Sequence, residues 1–379
     1  MKFSEIIGQE ATKALLLDQH RQQRIPHAQM LCGPEGVGKF ALALAYASYL
    51  LCEDPTPEGE PCGHCNGCHM TKALAHPDLH FVFPAYKGKG WPAERKAISA
   101  DYLTQWREMV AASPYFDLTT WRSASGVESQ RFHIGNGEAD DIVQQLSLVS
   151  AQGGYKVVLV WLPEMMSEDC ANKILKVLEE PPRQTIFLMV CNKPEMLLPT
   201  ISSRLQRIDV PRLRTEEIRD ALLSQQHGLS ADDADFIASS ADGSYLAALQ
   251  QIKVSADTAE YFDMFTLLMR KCWMRDIKEM YAWADNIAKW PRQKQRDFLA
   301  YCQRLIRENF VYNFGLPALN HMSQKEAAFS RNFARFVNER NVIALTTLFD
   351  EAQRDIAQNV NSRMVYTDLA INIIVQLRA

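Results

Sequence analysis

A glycine-rich stretch near the N-terminus, Gly33-Pro-Glu-Gly-Val-Gly-Lys39-Phe40, has the spacing of a phosphate-binding loop. In the pattern Gly-x4-Gly-Lys-[Ser/Thr], backbone N–H groups and the lysine bind nucleotide phosphates, and the last hydroxyl binds Mg²⁺. Gly33, Gly36, Gly38 and Lys39 are in place, but Phe40 stands where the hydroxyl belongs. A phenyl ring cannot ligate a hard cation. The stretch therefore predicts a nucleotide-binding fold with a degenerate phosphate loop.

A cluster of cysteines follows the loop. Cys-x2-Cys spacing places two thiolates on one metal ion in a tight turn, which predicts a closed, structural zinc site. An iron–sulfur cluster is an alternative, because it accepts similar spacing. His64 and His69 lie close enough in the chain to replace one cysteine as a ligand. The four predicted metal ligands are Cys52, Cys62, Cys65 and Cys68.

The composition is that of an ordinary water-soluble protein. The chain has 379 residues, a net charge of −4, 47% hydrophobic residues and 23% charged residues. This charge balance excludes a strongly basic nucleic-acid binder as a description of the whole chain. We find no apolar run of about 18 residues and no signal peptide, so a cytoplasmic location is expected and no membrane partner.

The first two hundred residues alternate between apolar runs and helical patterns. Buried strands are predicted at 29–32, 156–161 and 185–191, and helices at 40–51 and 170–180. This alternation is typical of a doubly wound α/β domain, in which ligands bind at the carboxyl ends of parallel strands. A section at about 86–131 has no clean period and is interpreted as an insertion, partly helical around 101–112.

After Pro211 the pattern becomes helical almost throughout. Beyond about residue 252 the composition shifts again, to long amphipathic helices rich in Arg, Asp, Trp and Met. These shifts predict domain boundaries near residues 210 and 252.

Several motifs occur in an order that resembles the AAA+ subunits of the bacterial DNA polymerase III clamp loader. The resemblance spans about residues 1–252 and is weaker over the helices that follow. Besides the phosphate loop and the cysteines, its motifs are Arg24-Ile-Pro-His-Ala, His76-Pro-Asp-Leu, Ala171-Asn-Lys-Ile-Leu-Lys-Val-Leu-Glu-Glu-Pro-Pro182 and Leu198-Pro-Thr-Ile-Ser-Ser-Arg204.

The resemblance implies three domains. A P-loop AAA+ ATPase-type α/β domain with a parallel sheet covers 1–210, with the zinc module at 52–68 and the insertion at about 86–131. A small helical lid domain covers 211–252, and an all-α collar domain that joins subunits covers 253–379. The implied partners are motor subunits of the gamma/tau type and the delta subunit, and, through the complex, the sliding clamp and primer–template DNA.

The departures from the family pattern predict a subunit that does not hydrolyse ATP. Motor subunits carry two carboxylates after the central strand, one for Mg²⁺ and one to activate water. They also carry an arginine in the lid and threonine after the third strand. Passive nucleotide binding through Lys39 and the loop amides stays open. The residues found at these positions are Trp161, Leu162, Leu246, Cys191 and Asn192.

Arg204 is the catalytic residue that the resemblance implies. In the family, this arginine reaches the γ-phosphate held by the neighbouring subunit, as an arginine finger in trans. Leu205 follows it here, where the family usually has cysteine. A chain that has lost its own site and kept the finger is expected to assist another subunit's hydrolysis.

Two other functions remain open from the sequence. One is an active motor subunit of the gamma/tau type that uses unusual residues for Mg²⁺. The other is a zinc-dependent DNA-binding protein with a turn that only looks like a phosphate loop. A basic stripe would favour the second alternative, whereas the basic residues are spread along the chain.

Overall fold

The computed structural model describes residues 1–88, 90–92, 94–127, 130–225, 229–315 and 322–377. The chain divides into two compact units, Met1–Gln251 and Ile252–Ala379. The further division of the first unit near residue 210 stays a prediction, as does the cytoplasmic location. Within the described residues, no helix is long and apolar enough to cross a membrane.

Five strands of the described chain form one parallel sheet in the first unit, in the order β2-β3-β4-β1-β5. The predicted strands at 156–161 and 185–191 are confirmed, and β1 is one residue longer than predicted. β2 and β5 were not predicted. The strands are β1 (Ala28–Cys32), β2 (Leu79–Val82), β3 (Lys156–Trp161), β4 (Thr185–Cys191) and β5 (Gln206–Asp209).

Helices connect the strands, as parallel pairing requires. The predicted helices at 40–51 and 170–180 correspond to α2 and α7, each shifted by one or two residues. The helices that lie in the first unit are α1 (Glu10–Arg21), α2 (Lys39–Leu50), α3 (Asn66–Lys72), α4 (Leu103–Ala112), α5 (Leu118–Ala124), α6 (Asn136–Ser147), α7 (Glu168–Glu179), α8 (Pro199–Ser202), α9 (Thr215–Gln225) and α10 (Ala231–Ser240).

The central strands are buried on both faces, because helices cover the sheet. Every residue of β1, β3 and β4 is buried, whereas three of the four residues of the edge strand β5 are exposed. All strands point the same way, so the segments that follow β1, β3 and β4 meet at one edge of the sheet. The phosphate loop, Leu162 and Asn192 therefore lie at this carboxyl edge.

The section at 86–131 contributes to the core of the first unit. The predicted helix is present as α4, and α5 is a second helix that the sequence pattern did not reveal. Residues 89, 93, 128 and 129 of this section lie outside the described residues. The side chains of Trp106 and Trp121 are fully buried, and the indole N–H of Trp121 donates to the carbonyl oxygen of Pro84 (2.8 Å).

The second unit is built from helices packed around an aromatic and aliphatic core. Phe298, Leu305 and Phe349 are completely buried in it. α11 begins before residue 252 and continues into this unit. The helices are α11 (Tyr245–Met274), α12 (Ile277–Ala288), α13 (Arg292–Tyr312), α14 (Gln324–Phe333), α15 (Val342–Ala357) and α16 (Ser362–Gln376).

Replacing Trp106 should test how far the section at 86–131 supports the first unit. Trp106→Ala removes a fully buried indole, so we expect the free energy of unfolding of this unit to fall by about 3–5 kcal/mol. Urea denaturation, monitored through hydrogen exchange of the β3 and β4 amides, measures the loss of unfolding free energy. Leu148→Ala, at a side chain that is 60% exposed, is the control and should change it by no more than about 0.5 kcal/mol. Equal effects of the two variants would contradict the prediction.

Candidate functional site

The phosphate loop connects β1 to α2 and is closed on itself by Lys39. The Lys39 ammonium is buried and donates to the carbonyl oxygens of Gly33 (2.7 Å) and Pro34 (2.5 Å). The loop lysine of the pattern Gly-x4-Gly-Lys would extend over bound phosphates. Here its ammonium is hydrogen-bonded to backbone carbonyl groups at the start of its own loop.

Carboxylates surround this lysine. Burial lowers the pKa of Lys39 to about 8, and the charges of Glu35 and Glu164 oppose that shift. Burial also raises the pKa of Glu35, and the charge of Asp117 adds to this effect. The side-chain amide of Asn192 donates to Glu35 (3.0 Å). A triphosphate entering here would meet carboxylates next to the one buried cation of the loop, which disfavours anion binding.

An aromatic cluster fills the place where the pattern expects a Mg²⁺ ligand. The Phe40 ring packs edge-on against Phe116, with centroids 4.9 Å apart, and against Trp106 at 5.6 Å. Trp161, which replaces an expected carboxylate, packs on the same two rings at 5.0 and 5.4 Å. Such pairs are favourable beyond their burial. The two departures from the ATPase pattern thus complement each other within one apolar cluster.

Tyr115 lies directly over the loop. Gly38 has a φ of +94°, and a Cβ at this position would be 3.2 Å from the Tyr115 ring. The space that remains between the loop and Tyr115, Phe116 and Trp161 has a volume of ≈ 20 Å³. That volume holds about one water molecule. Tyr115, Phe116 and Trp161 therefore leave little room above the loop.

The remaining positions of the expected nucleotide site are also committed to packing. Leu162 is buried, and its backbone has a φ of +57°. Cys191 is fully buried at the end of β4. The backbone N–H of Leu246, at the start of α11, donates to the carbonyl oxygen of Gly36 (3.4 Å). Glu164 accepts hydrogen bonds from the N–H groups of Asn192 and Lys193, so it anchors a loop.

The four predicted cysteine ligands come together between α2 and α3. The Sγ atoms of Cys52 and Cys65 are 3.9 Å apart, and those of Cys62 and Cys68 are 3.8 Å apart. All four lie within 4.8 Å of one another. A tetrahedral ion with metal–sulfur bonds of about 2.3 Å requires sulfur–sulfur distances of about 3.8 Å. The cluster can therefore hold one metal ion.

Backbone amides surround these sulfur atoms. Cys52 Sγ accepts from the N–H of Cys62 (3.2 Å), and Cys68 Sγ accepts from the N–H of Gly63 (3.3 Å). Cys62 and Cys65 each accept one N–H bond as well, from Cys65 (3.4 Å) and Cys68 (3.3 Å). Hydrogen bonds donated to sulfur stabilise thiolates, which are the form that ligates metal.

The nearby histidines lie apart from this arrangement. His64 is exposed, and its Nδ1 is 3.2 Å from the carbonyl oxygen of Cys62, while His69 is exposed on α3. Among the described residues, the metal-binding group consists of the four cysteines without a histidine. Four sulfur ligands complete a tetrahedron, so the site has no open position for catalysis.

Arg204 lies at the opposite edge of the sheet from the phosphate loop. It follows α8 and precedes β5, whose first residue pairs with Gln29 near the start of β1. Its Nε donates to Glu179 Oε1 (2.6 Å), its NH2 group also contacts Glu179, and NH1 donates to the Thr200 carbonyl oxygen (2.7 Å). Because β1 separates the two edges, Arg204 cannot serve the loop of its own chain.

Sequence reasoning missed the residues that fill the loop. Tyr115 and Phe116 belong to the section at 86–131, to which no role was assigned. Its run Pro114-Tyr115-Phe116 and its buried tryptophans were the available signal, since an exposed insertion has no need of so many large aromatic residues.

Comparison with known proteins identifies relatives of the chain. Residues 8–214 match the family model described as "DNA polymerase III, delta subunit". DNA polymerase III subunit delta' from Pseudomonas aeruginosa is 35% identical over 178 residues, or 47% of this chain and 41% of that protein. Subunit delta' from Escherichia coli is 30% identical over 189 residues, or 50% of this chain and 43% of that protein.

Subunit tau from Bacillus subtilis is 27% identical over 270 residues, which cover 69% of this chain and 40% of that protein. These alignments each span less than half of the relative's own length. The solved structure of a gamma-subunit-related protein from Thermotoga maritima covers 98% of this chain and all of that chain, with 15% identity. Its TM-score of 0.38 is too low to support an argument. The predicted resemblance to polymerase III clamp-loader subunits is confirmed by the sequence relatives.

The filled loop predicts that the isolated chain neither binds nor hydrolyses ATP. Titration with a fluorescent ATP analogue should give no saturable signal up to about 1 mM, a concentration at which a specific site would be occupied. Phe40→Thr should not restore binding, because Tyr115, Phe116 and Trp161 still occupy the space. Lys39→Ala is the matched control and should match the parent. Saturable binding that Lys39→Ala abolishes would contradict this prediction.

Proposed function

The chain belongs to the family described as "DNA polymerase III, delta subunit", and we propose that it is a delta-prime-type subunit that does not itself hydrolyse ATP. In this role it helps a clamp loader to set the sliding clamp on primed DNA. It also supplies Arg204 to the active site of a neighbouring ATPase subunit. The proposal rests on one observation, the filling of the chain's own phosphate loop by its own side chains.

The position of Arg204 supports its action on another chain. The finger and the phosphate loop lie at opposite edges of one sheet, so a subunit that presents Arg204 to a neighbour does not disturb its own loop. A guanidinium forms two parallel hydrogen bonds with a carboxylate or a phosphate. The edge of the Arg204 guanidinium that contacts Glu179, with its Nε and NH2 groups, is thus the edge that would bind γ-phosphate oxygens.

Glu179 holds the Arg204 side chain in one position at the surface. It is the last residue of α7, where the negative end of the helix dipole disfavours a carboxylate. The ion pair with Arg204 offsets this cost. Both side chains remain partly exposed, 35% for Arg204 and 46% for Glu179, so the pair is weak enough to exchange for a phosphate.

The implied partners follow from the relatives. Proteins named as delta', tau and gamma/tau subunits of DNA polymerase III are similar to 47%, 69% and 61% of this chain, respectively. We infer that gamma/tau-type motor subunits and a delta subunit are its direct partners. The clamp and primer–template DNA would be reached through the assembled complex.

The active-motor alternative is disfavoured by the loop. Similarity to the tau subunit of Bacillus subtilis extends over 69% of the chain, so a common fold with motors is expected. Hydrolysis would still require a Mg²⁺ ligand and a base at positions held by Phe40, Trp161 and Leu162. These side chains offer neither. No observation favours the zinc-dependent DNA-binding alternative over clamp-loader membership.

For the cysteine cluster, we infer zinc and a structural role. The four sulfur ligands, their spacing and their amide donors fit Zn²⁺, which would cross-link the segment that follows α2 to α3. Gly67 approaches the end of α2 so closely that a Cβ there would lie 2.3 Å from the carbonyl oxygen of Leu51. The module is thus packed tightly on the α/β core that it would stabilise.

The zinc assignment predicts about one zinc ion per chain, measurable by elemental analysis, with no visible absorption from iron. Cys65→Ser should lower the zinc content and reduce the free energy of unfolding of the first unit by at least about 2 kcal/mol. His64→Ala, next to the ligands but exposed, is the matched control and should retain both. Full zinc content in Cys65→Ser would show that these ligands were wrongly assigned.

The finger role predicts a defect that appears only in the assembled complex. Arg204→Ala should leave the chain folded and assembled, because its contacts lie at the surface. DNA- and clamp-stimulated ATP hydrolysis should fall about twofold to tenfold, less than the roughly 10³ of a lone finger, because other interfaces keep theirs. Arg204→Lys should rescue poorly, since an ammonium lacks the planar fork.

Arg207→Ala provides the matched control for this experiment. Arg207 is exposed three residues further along and pairs with Asp209 through Nε and Oδ1 (2.8 Å). Its loss removes the same charge from the adjoining strand β5, so hydrolysis and clamp loading should stay at the parental rate. If Arg204→Ala also keeps the parental rates, the finger role is wrong and the subunit is a scaffold.

A further inference from the structure

The segment between α4 and α5, residues 113–117, reaches across the phosphate loop and touches three separate parts of the first unit. The N–H of Ile7, near the N-terminus, donates to the Tyr115 hydroxyl oxygen (3.2 Å). The Tyr115 ring lies on Gly38 of the loop. The Tyr115 ring also packs against the ring of Tyr245 at the start of α11, with centroids 5.0 Å apart and an interplanar angle of 72°.

Tyr115 is held firmly in this position. The residue is 8% exposed, and burial raises the pKa of its hydroxyl to about 12, so the phenol is neutral at physiological pH. Ser113 braces the turn before it, since its hydroxyl accepts from the Tyr115 N–H (3.1 Å). Phe116, the next residue, is fixed in the aromatic cluster with Phe40 and Trp161.

The start of α11 is also attached to the loop and to this segment. The N–H groups of Tyr245 and Leu246 donate to the carbonyl oxygen of Gly36 (3.0 and 3.4 Å). The Gln250 side-chain amide donates to Asp117 Oδ2 (3.1 Å), while Asp117 Oδ1 caps α5 by accepting from the Thr120 N–H (2.7 Å). Gly36 cannot be replaced easily, because a Cβ there would be 2.1 Å from Ser244 Oγ.

We propose that Tyr115 is a built-in ligand of the phosphate loop, which fastens the start of α11 to the loop whether or not nucleotide is present. A molecule bound at the carboxyl edge of a parallel sheet contacts the loop below it and whatever covers the site. Tyr115 makes both contacts from within the chain. The proposal rests on the proposed loss of nucleotide chemistry but is independent of the role of Arg204.

The consequence for the proposed subunit is a fixed geometry. If a bound nucleotide alone held residues 245–251 in place, this segment would be released each time the nucleotide dissociated. Here the contacting group is the Tyr115 side chain, which cannot dissociate. Residues 245–251 therefore keep one position relative to the sheet.

Hydrogen exchange of the isolated full-length chain tests this proposal. In Tyr115→Ala, amides of residues 245–251 should exchange about threefold to tenfold faster than in the parent, the effect of losing an aromatic contact. The β1 and β4 amides serve as the internal control and should keep their protection. In Tyr115→Phe, which keeps the ring, residues 245–251 should stay close to the parental rate. Unchanged exchange at 245–251 in Tyr115→Ala would overturn the proposal.

Two further hydrogen-exchange measurements test the proposal even if the Tyr115→Ala variant does not fold. Gln250→Ala removes an exposed side chain and should accelerate exchange at 245–251 about twofold to threefold, because one hydrogen bond is lost. Addition of Mg-ATP at about 5 mM, a concentration well above the dissociation constant of a typical nucleotide site, should leave hydrogen exchange in the parent unchanged. An unaltered rate in Gln250→Ala, or protection of 245–251 by Mg-ATP, would overturn the proposal. Neither result depends on whether Arg204 acts in trans.

Discussion

The packing of Phe40 and of Trp161 on the same two rings, Phe116 and Trp106, is the interaction on which the carboxyl edge of the sheet depends. These side chains come from α2, from the section at 86–131 and from the end of β3. Large aromatic residues bury much apolar area and prefer the edge-on contacts seen here. A carboxylate at position 161 would be buried among these rings without a partner, whereas the Trp161 indole packs on them. Two of the departures from the ATPase pattern, Phe40 and Trp161, are thus linked by packing.

The two edges of the sheet have consequently become different environments. At the carboxyl edge, Lys39 is turned back on its own loop, and apolar rings replace polar ligands. At the amino edge, Arg204, Glu179 and Thr200 form an exposed polar group that needs nothing from the filled site. Parallel strands make this division possible, because the segments before and after the strands gather at opposite ends.

Local patterns in the sequence were sufficient for the central strands, the loop and the grouping of the four cysteines. β3 and β4 are continuous apolar runs, and the Cys-x2-Cys spacing brings sulfurs together over a short stretch. β5, with three exposed residues out of four, lacks such a run, and β2 has four residues. The contact of Tyr115 with Ile7 joins residues 108 positions apart. No spacing rule encodes such a contact, because it depends on how the whole sheet and its covering helices pack.

The cysteine cluster has a consequence for handling the protein. The proposed zinc ion would engage all four thiolates, whose sulfur atoms lie 3.8 and 3.9 Å apart in two pairs. A chelator would leave these pairs in contact and open to dissolved oxygen. Oxidation would then join Cys52 to Cys65 and Cys62 to Cys68 as disulfides, and the electrons would pass to oxygen. A chain stripped of metal in air would be unable to take the ion back until a reductant restored the thiols.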